Sequence, residues 1–87
     1  HEQYAYIRKS ENETLLMVLN FDDRQVDVQV RIPADAFVYL GQDEMCRCTM
    51  TDLLTDRVYE DMPFNTAEPV RLTLPAWKGV VLKVTKN

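Results

Sequence analysis

The sequence predicts an all-β fold, an antiparallel β-sandwich of about seven or eight short strands of Greek-key type. Apolar residues recur at every second position or in short continuous runs, and they seldom follow the spacing of a helix. Stretches rich in Asp, Asn and Pro interrupt these runs at intervals of about eight to twelve residues. A chain of 87 residues is long enough for one core, so we expect residues 1–87 to form a single domain.

Three strands are predicted in the first part of the chain. Two polar turns separate them, because Asp, Asn and Ser bond readily to nearby backbone groups. The third strand alternates cleanly between valines and polar residues, and Pro33 ends it because proline cannot donate to a sheet ladder. The predicted strands are 3–9, 14–21 and 26–32, and the turns between them are 10–13 and 22–25.

The remainder of the chain reads mostly as extended structure. Residues 33–45 are irregular, and we expect a helical turn over the sandwich edge followed by a short strand or loop. The hairpin 53–60 is predicted to turn at Thr55 and Asp56. The other predicted segments are the extended run 46–54, the loop 61–69, the strand 70–74, the connection 75–79 and the closing strand 80–85.

The second strand, LLMVLNF, is apolar on both faces. Leu15, Met17, Leu19 and Phe21 point one way, while Leu16, Val18 and Asn20 point the other. A surface strand of a small antiparallel sheet should place polar residues on its solvent face. We therefore expect something besides the sandwich core to cover one face of this strand.

Charge and hydropathy argue against two classes of partner. The net charge is −4 and the ten basic residues are scattered, whereas nucleic-acid binding favours a clustered basic patch. No apolar run of about 18 residues occurs, so no membrane-spanning segment is predicted. We expect neither nucleic acid nor a membrane as a partner.

No cofactor, metal site or catalytic residue is predicted. Cys46 and Cys48 are two residues apart, and structural zinc needs four ligands while the one histidine is His1. We interpret the cysteines as small apolar residues packed on one face. Ser10 lacks a nearby base, and a Cys–His pair would require His1 to fold onto the sandwich. Adjacent carboxylates such as Asp22 and Asp23 are interpreted as solvated turns, with a weak calcium contact as the alternative.

Four segments in order resemble the C-terminal β-sandwich domain of the alpha-amylase family of glycoside hydrolases. The opening hairpin of that domain is resembled by YAYIRKSENETLLMVLNF. Another hairpin of the family, in which a carboxylate and two leucines precede a Thr-Gly turn, is resembled by TDLLTDRVYE. VRLTLPAWKGVVLKV resembles its closing hairpin, and VDVQVRIP fits between them. The chain departs from the family at Asp56, where glycine is common, and at Trp77, where tyrosine is more usual.

This resemblance implies a non-catalytic accessory domain of an enzyme that acts on starch or a related alpha-glucan. The family's catalytic aspartate, glutamate and second aspartate lie on a preceding (β/α)8 barrel, and none of those motifs matches this chain. The expected partner is that barrel, in the same polypeptide, and docking against it would cover the second face of LLMVLNF. The expected interface residues are Tyr4, Tyr6, Arg8, Leu16, Val18 and Asn20.

Two other functions remain open. Trp77 lies in a turn where it could be exposed, so an independent carbohydrate-binding module would stack alpha-glucan on it. A plain Ig-like interaction module is the other alternative. Because a strand pattern begins within a few residues of His1, we expect the chain to be a C-terminal part of a longer protein.

Overall fold

The computed structural model describes residues 3–87 and contains seven strands in two antiparallel sheets with one short helix, which confirms the predicted fold class. His1 lies outside the described residues, and with it the alternative of a Cys–His pair. The elements are β1 (Gln3–Ser10), β2 (Glu13–Asn20), β3 (Val26–Val30), α1 (Ala34–Leu40), β4 (Met45–Asp52), β5 (Val58–Phe64), β6 (Val70–Leu74) and β7 (Gly79–Lys86).

The two sheets differ in size. The larger sheet has five strands in the order β1-β2-β7-β4-β5, and the smaller one pairs β3 with β6. The chain therefore leaves the larger sheet after β2 and again after β5, and it returns through α1 and at β7. The central strand of the larger sheet is β7, the last in the sequence, so the C-terminal segment holds the sheet together.

The core lies between the sheets and is built by alternate residues of each strand. β2, β6 and β7 bury every second side chain, as the predicted period of two requires, and β4 does so from Cys48 onward. Phe64 and Met50 are among the largest fully buried side chains. The buried apolar set is Leu16, Val18, Ile32, Phe37, Leu40, Cys48, Met50, Phe64, Val70, Leu72, Leu74, Val80, Leu82 and Val84.

The irregular region contains a two-turn helix over the edge of the sandwich. α1 buries Phe37 and Leu40, and the ring of Phe37 meets the ring of Phe64 edge-on at a centroid distance of 5.2 Å. Gly41 ends the helix in the left-handed conformation (φ 66°), and its N–H donates to the Phe37 carbonyl. Glycine adopts this conformation without the steric cost that a side chain would add.

The ends of β5 and β3 differ from their predicted positions. β5 continues to Phe64, although residues 61–69 were predicted as a loop, because an edge strand tolerates Pro63. β3 ends at Val30 rather than at residue 32, yet Ile32 is still buried in the core. Burial of a side chain and membership of a sheet ladder are separate properties, and the apolar pattern reports only burial.

The two cysteines have different environments, so the prediction that both pack on one face was wrong. Cys48 is fully buried and Cys46 is exposed. The pairing of β4 with β5 shifts register between Met45 and Cys48 and again before Met50, which breaks the alternation at Cys46. Burial of Cys48 raises the pKa of its thiol to about 11, so this thiol stays neutral and unreactive.

Candidate docking surface

The outer face of the five-stranded sheet, the side turned away from β3 and β6, is apolar at one end. Residues that pair directly across neighbouring strands project to the same face. In the first row Tyr4 lies opposite Leu19, which lies opposite Gly79. In the second row Tyr6 lies opposite Met17, Met17 lies opposite Val81, and Leu53 donates its N–H to the Val81 carbonyl at 2.8 Å. We call these seven residues the apolar rows.

The other end of the same face is polar. Arg8, Leu15 and Lys83 form the next row, and the ammonium of Lys83 pairs with the carboxylate of Glu13 at 3.1 Å. Beyond it, Thr85 lies opposite Thr49. The outer face therefore grades from aromatic and aliphatic to charged along the strand direction.

Gly79 makes the first apolar row flat. A Cβ placed on Gly79 would stand 2.5 Å from Cδ2 of Leu19 and 2.9 Å from the backbone oxygen of Val18. The side chain of Leu19 therefore lies directly over the backbone of Gly79. Any larger residue at position 79 would lift Leu19 and roughen the face.

Aromatic side chains border the apolar rows. The rings of Tyr4 and Phe21 meet edge-on with centroids 5.6 Å apart. In the neighbouring turn Trp77 has a positive φ of 59° and donates its N–H to the Asp22 carbonyl at 3.2 Å. Its side chain is 64% exposed, so it does not pack under the turn as a lid on the core.

The outer face of the smaller sheet is polar throughout. Asp27 lies opposite Thr73, whose hydroxyl donates to the Asp27 carboxylate at 2.7 Å, and Gln29 lies opposite Arg71. These side chains are exposed. Only the larger sheet thus departs from the polar outer surface expected of a small antiparallel sandwich.

The predicted interface residues divide between two faces. Tyr4, Tyr6 and Arg8 project from the outer face, but Leu16 and Val18 are buried between the sheets. The prediction that Tyr4, Tyr6, Leu16 and Val18 share a face was wrong because β1 pairs Ile7, not Tyr6, with Leu16. On β2 and β7 the outer face carries Met17, Leu19 and Val81 instead. The period of two had separated the two faces of β2, but it did not show which of them meets the core.

Asn20 is fixed inside the chain rather than on the outer face. It is 1% exposed, and its amide donates to the carbonyls of Arg24 and Pro75, each at 3.0 Å. Its carbonyl oxygen accepts from the backbone N–H of Asp22 at 2.9 Å and from the Gln3 amide at 3.2 Å. Asn20 was expected at the interface, but these contacts bond it to backbone groups inside the chain.

Residues 3–87 contain no group of three or more His, Cys, Asp or Glu side chains that could hold a metal ion. The adjacent carboxylates of Asp22 and Asp23 lie 3.8 and 3.9 Å from the guanidinium of Arg24 in a surface turn. Over the same residues, no helix is both long and apolar enough to cross a membrane.

Comparison with known proteins gives one result. The model of a family described as the alpha-amylase C-terminal all-beta domain matches residues 1–85. No curated protein matches the chain.

Proposed function

Because this chain belongs to the family of alpha-amylase C-terminal all-beta domains, we propose that it docks on a catalytic barrel through its apolar rows. Domains of this family are a non-catalytic part of enzymes whose catalytic domain is in the same polypeptide. In this proposal the domain stabilises a (β/α)8 barrel that acts on starch or a related alpha-glucan. It contributes buried surface and no reacting group.

The observation that supports this proposal is the contrast between the two outer faces. The smaller sheet exposes Asp27, Gln29 and Arg71, whereas the larger sheet exposes tyrosines and aliphatic side chains over two rows. Burying apolar surface contributes about 25 cal/mol per Å². A contact of several hundred Å² would therefore contribute on the order of 10 kcal/mol before the cost of ordering the interface.

The polar end of the same face limits how the barrel can sit. Lys83 is paired with Glu13, but no ion pair holds Arg8 within residues 3–87. A guanidinium at the edge of an apolar contact is best satisfied by a carboxylate or a backbone carbonyl of the partner. The proposal therefore places Arg8 at the rim, bonded to the barrel, with the threonines beyond it in solvent.

A charge placed in the middle of the apolar rows tests the docking proposal. In the full polypeptide, Met17→Lys would bury an unpaired ammonium and should weaken docking by about 3 kcal/mol. We expect a lower melting temperature for the enzyme and faster proteolysis between its two domains. The matched control is Gln29→Lys, which adds the same charge to the polar outer face of the smaller sheet.

The isolated 87-residue chain provides the second control. Met17 is only partly buried in the chain alone, so Met17→Lys should change the unfolding of the isolated chain by less than about 1 kcal/mol. Equal effects of Met17→Lys and Gln29→Lys in the full polypeptide would argue against the docking face.

The exposure of Trp77 favours a second function, the stacking of alpha-glucan on its indole ring. Trp77 is the one tryptophan of the chain, so its fluorescence reports directly on this site. Titration with maltooligosaccharides should quench or shift the emission of Trp77 with saturation. The control variant is Tyr59→Phe, which changes an aromatic residue away from this turn and should leave the titration unchanged. Unchanged emission at millimolar sugar would leave the docking role as the one function.

A further inference from the structure

In the part of the chain that the structure describes, the outer edge of β1 is the one long, regular sheet edge. Within residues 3–87, β1 pairs only with β2, and all eight residues of Gln3–Ser10 are in unbroken register with it. The strand contains no proline and no register shift. No strand of the described residues pairs with the second side of β1, and such a sheet edge is a template for another strand.

The other three edges carry features that oppose strand addition. β5 contains Pro63, a positive φ at Asp61 and two register shifts against β4. The strands of the smaller sheet, β3 and β6, have five residues each. Prolines, bulges and short length are the devices by which native sheets block pairing at their edges.

The inner side of β1 is also incompletely covered. Ala5 is exposed and Ile7 is only partly buried, and both line an open groove of about 380 Å³. The opposite wall of this groove is formed by Ile32 and by Ala36 and Tyr39 of α1. A strand added to β1 would place alternate side chains into this groove, and it would bury apolar surface there.

We propose that a second copy of this chain adds its own β1 to this edge, antiparallel and about a two-fold axis at Tyr6. The occupant is identified by self-complementarity. In this register each Tyr6 lies opposite Tyr6 of the other copy, each Ile7 lies opposite Ala5, and each Arg8 lies opposite Tyr4.

The charges of β1 agree with this register. Arg8 and Lys9 are the two basic residues of the strand and lie near its C-terminal end. In the antiparallel pair they lie opposite Tyr4 and Gln3 of the other copy, so no like charges meet. Ile7 opposite Ala5 places a large apolar side chain beside a small one over the groove. Arg8 opposite Tyr4 places a guanidinium beside a tyrosine ring, which is a favourable contact.

The backbone bonds of this association lie at the edge of β1, whereas its pairs of Tyr6 with Tyr6 and of Arg8 with Tyr4 project from the outer face. The association is therefore tested on the 87-residue chain, in which no barrel covers that face. The contact of one strand pair is below the size of a standard interface, so we expect weak association. Sedimentation of the 87-residue chain over a range on the order of 10 μM to 1 mM should therefore show a reversible monomer–dimer equilibrium.

Charge substitutions at the two-fold axis test the register. Tyr6→Lys and Tyr6→Glu each place like charges opposite each other, and each should raise the dissociation constant about tenfold or more. A mixture of the two variants places Lys opposite Glu and should restore dimerisation. Tyr6 is 51% exposed, so both variants are expected to fold, as circular dichroism can verify.

Two controls separate this contact from other associations. Val58→Lys adds a charge on the opposite edge strand and should leave the dimer unchanged, and Met17→Lys adds one on the outer face and should do the same. Three results would overturn the proposal: a monomer at every concentration, no restoration in the mixture, or loss of the dimer with Met17→Lys, which would indicate association through the outer face.

Discussion

At the scale of single residues, Asn20 has the largest structural role among the buried polar groups. It joins the end of β2 to the turn after it and to the end of β6, where it also approaches the Leu74 carbonyl at 3.4 Å. A side chain of the larger sheet thus bonds to backbone groups of the turn after β2 and of the end of β6. A buried carbonyl without a partner costs about 1–3 kcal/mol, so this position tolerates few substitutes.

We expect Asn20→Ala to lower the free energy of unfolding by about 2–4 kcal/mol, because it leaves carbonyls unsatisfied and a small cavity. Asn20→Asp should be worse at neutral pH, because a carboxylate would face those carbonyls and its pKa would be raised. Because the pKa is raised in the folded state, Asn20→Asp should recover stability as the pH falls through that raised pKa, and the recovery should be complete once the pH is below the ordinary pKa of an aspartate. Urea denaturation at pH 4 and pH 7 measures both effects.

Gln29→Ala on the polar outer face is the control for Asn20→Ala, with an expected change within about 0.5 kcal/mol. Equal stability of Asn20→Ala and Gln29→Ala would show that the Asn20 contacts contribute little.

At the scale of elements, the turns are made with little glycine. The chain has two glycines, and four other described residues have positive φ: Glu11, Asp56, Asp61 and Trp77. Asp56 has φ 63° in the loop between β4 and β5, the position where glycine is common in the family that the chain resembles. Asp52 anchors this loop by accepting from the N–H of Leu54 at 3.0 Å and the hydroxyl of Thr55 at 2.9 Å.

Substitutions at Asp56 should follow the steric cost of positive φ. Asp56→Gly is expected to be neutral or to stabilise by up to about 1 kcal/mol, while Asp56→Val should destabilise by about 1–2 kcal/mol because its branched Cβ clashes in the left-handed region. Thermal unfolding of the two variants measures the difference. The control pair is Glu60→Gly and Glu60→Val in β5, where the order should reverse because valine favours extended backbone. The same order at both positions would contradict this explanation.

At the scale of the whole molecule, the sandwich is asymmetric, and the proposed docking rests on this asymmetry. A five-stranded sheet covered by a two-stranded one must expose most of its second face, and here that face is apolar over two rows. The polar end with Glu13, Lys83 and Arg8 marks where solvent or a rim contact begins. This arrangement is the basis of the proposal that a larger neighbour covers the face.

Removal of residues 1–87 from the parent polypeptide should therefore lower the melting temperature of the remaining enzyme without deleting a reacting group. The expected cause is exposure of the barrel surface that the apolar rows cover. Differential scanning calorimetry of the truncated and complete enzymes measures the shift. An unchanged melting temperature would count heavily against a stabilising role.

The sequence by itself determined the period of each strand and the places where most strands end. Alternation separated Leu15, Met17 and Leu19 from Leu16 and Val18, and Asp, Asn and Pro marked the turns. These features are local: the geometry of an extended chain and the chemistry of turn residues depend on near neighbours alone. They were sufficient for the fold class and for recognising that β2 is apolar on both faces.

The tertiary structure alone decided which of those faces meets the core. β2 is placed between β1 and the distant β7, and β3 with β6 covers the side of Leu16 and Val18. Both faces of β2 are apolar enough to form part of the core. Which of them does so depends on how the two sheets stack and on the register between segments that are far apart in sequence. For the same reason the sequence placed Tyr6 with Leu16, whereas pairing in the folded chain places it with Met17.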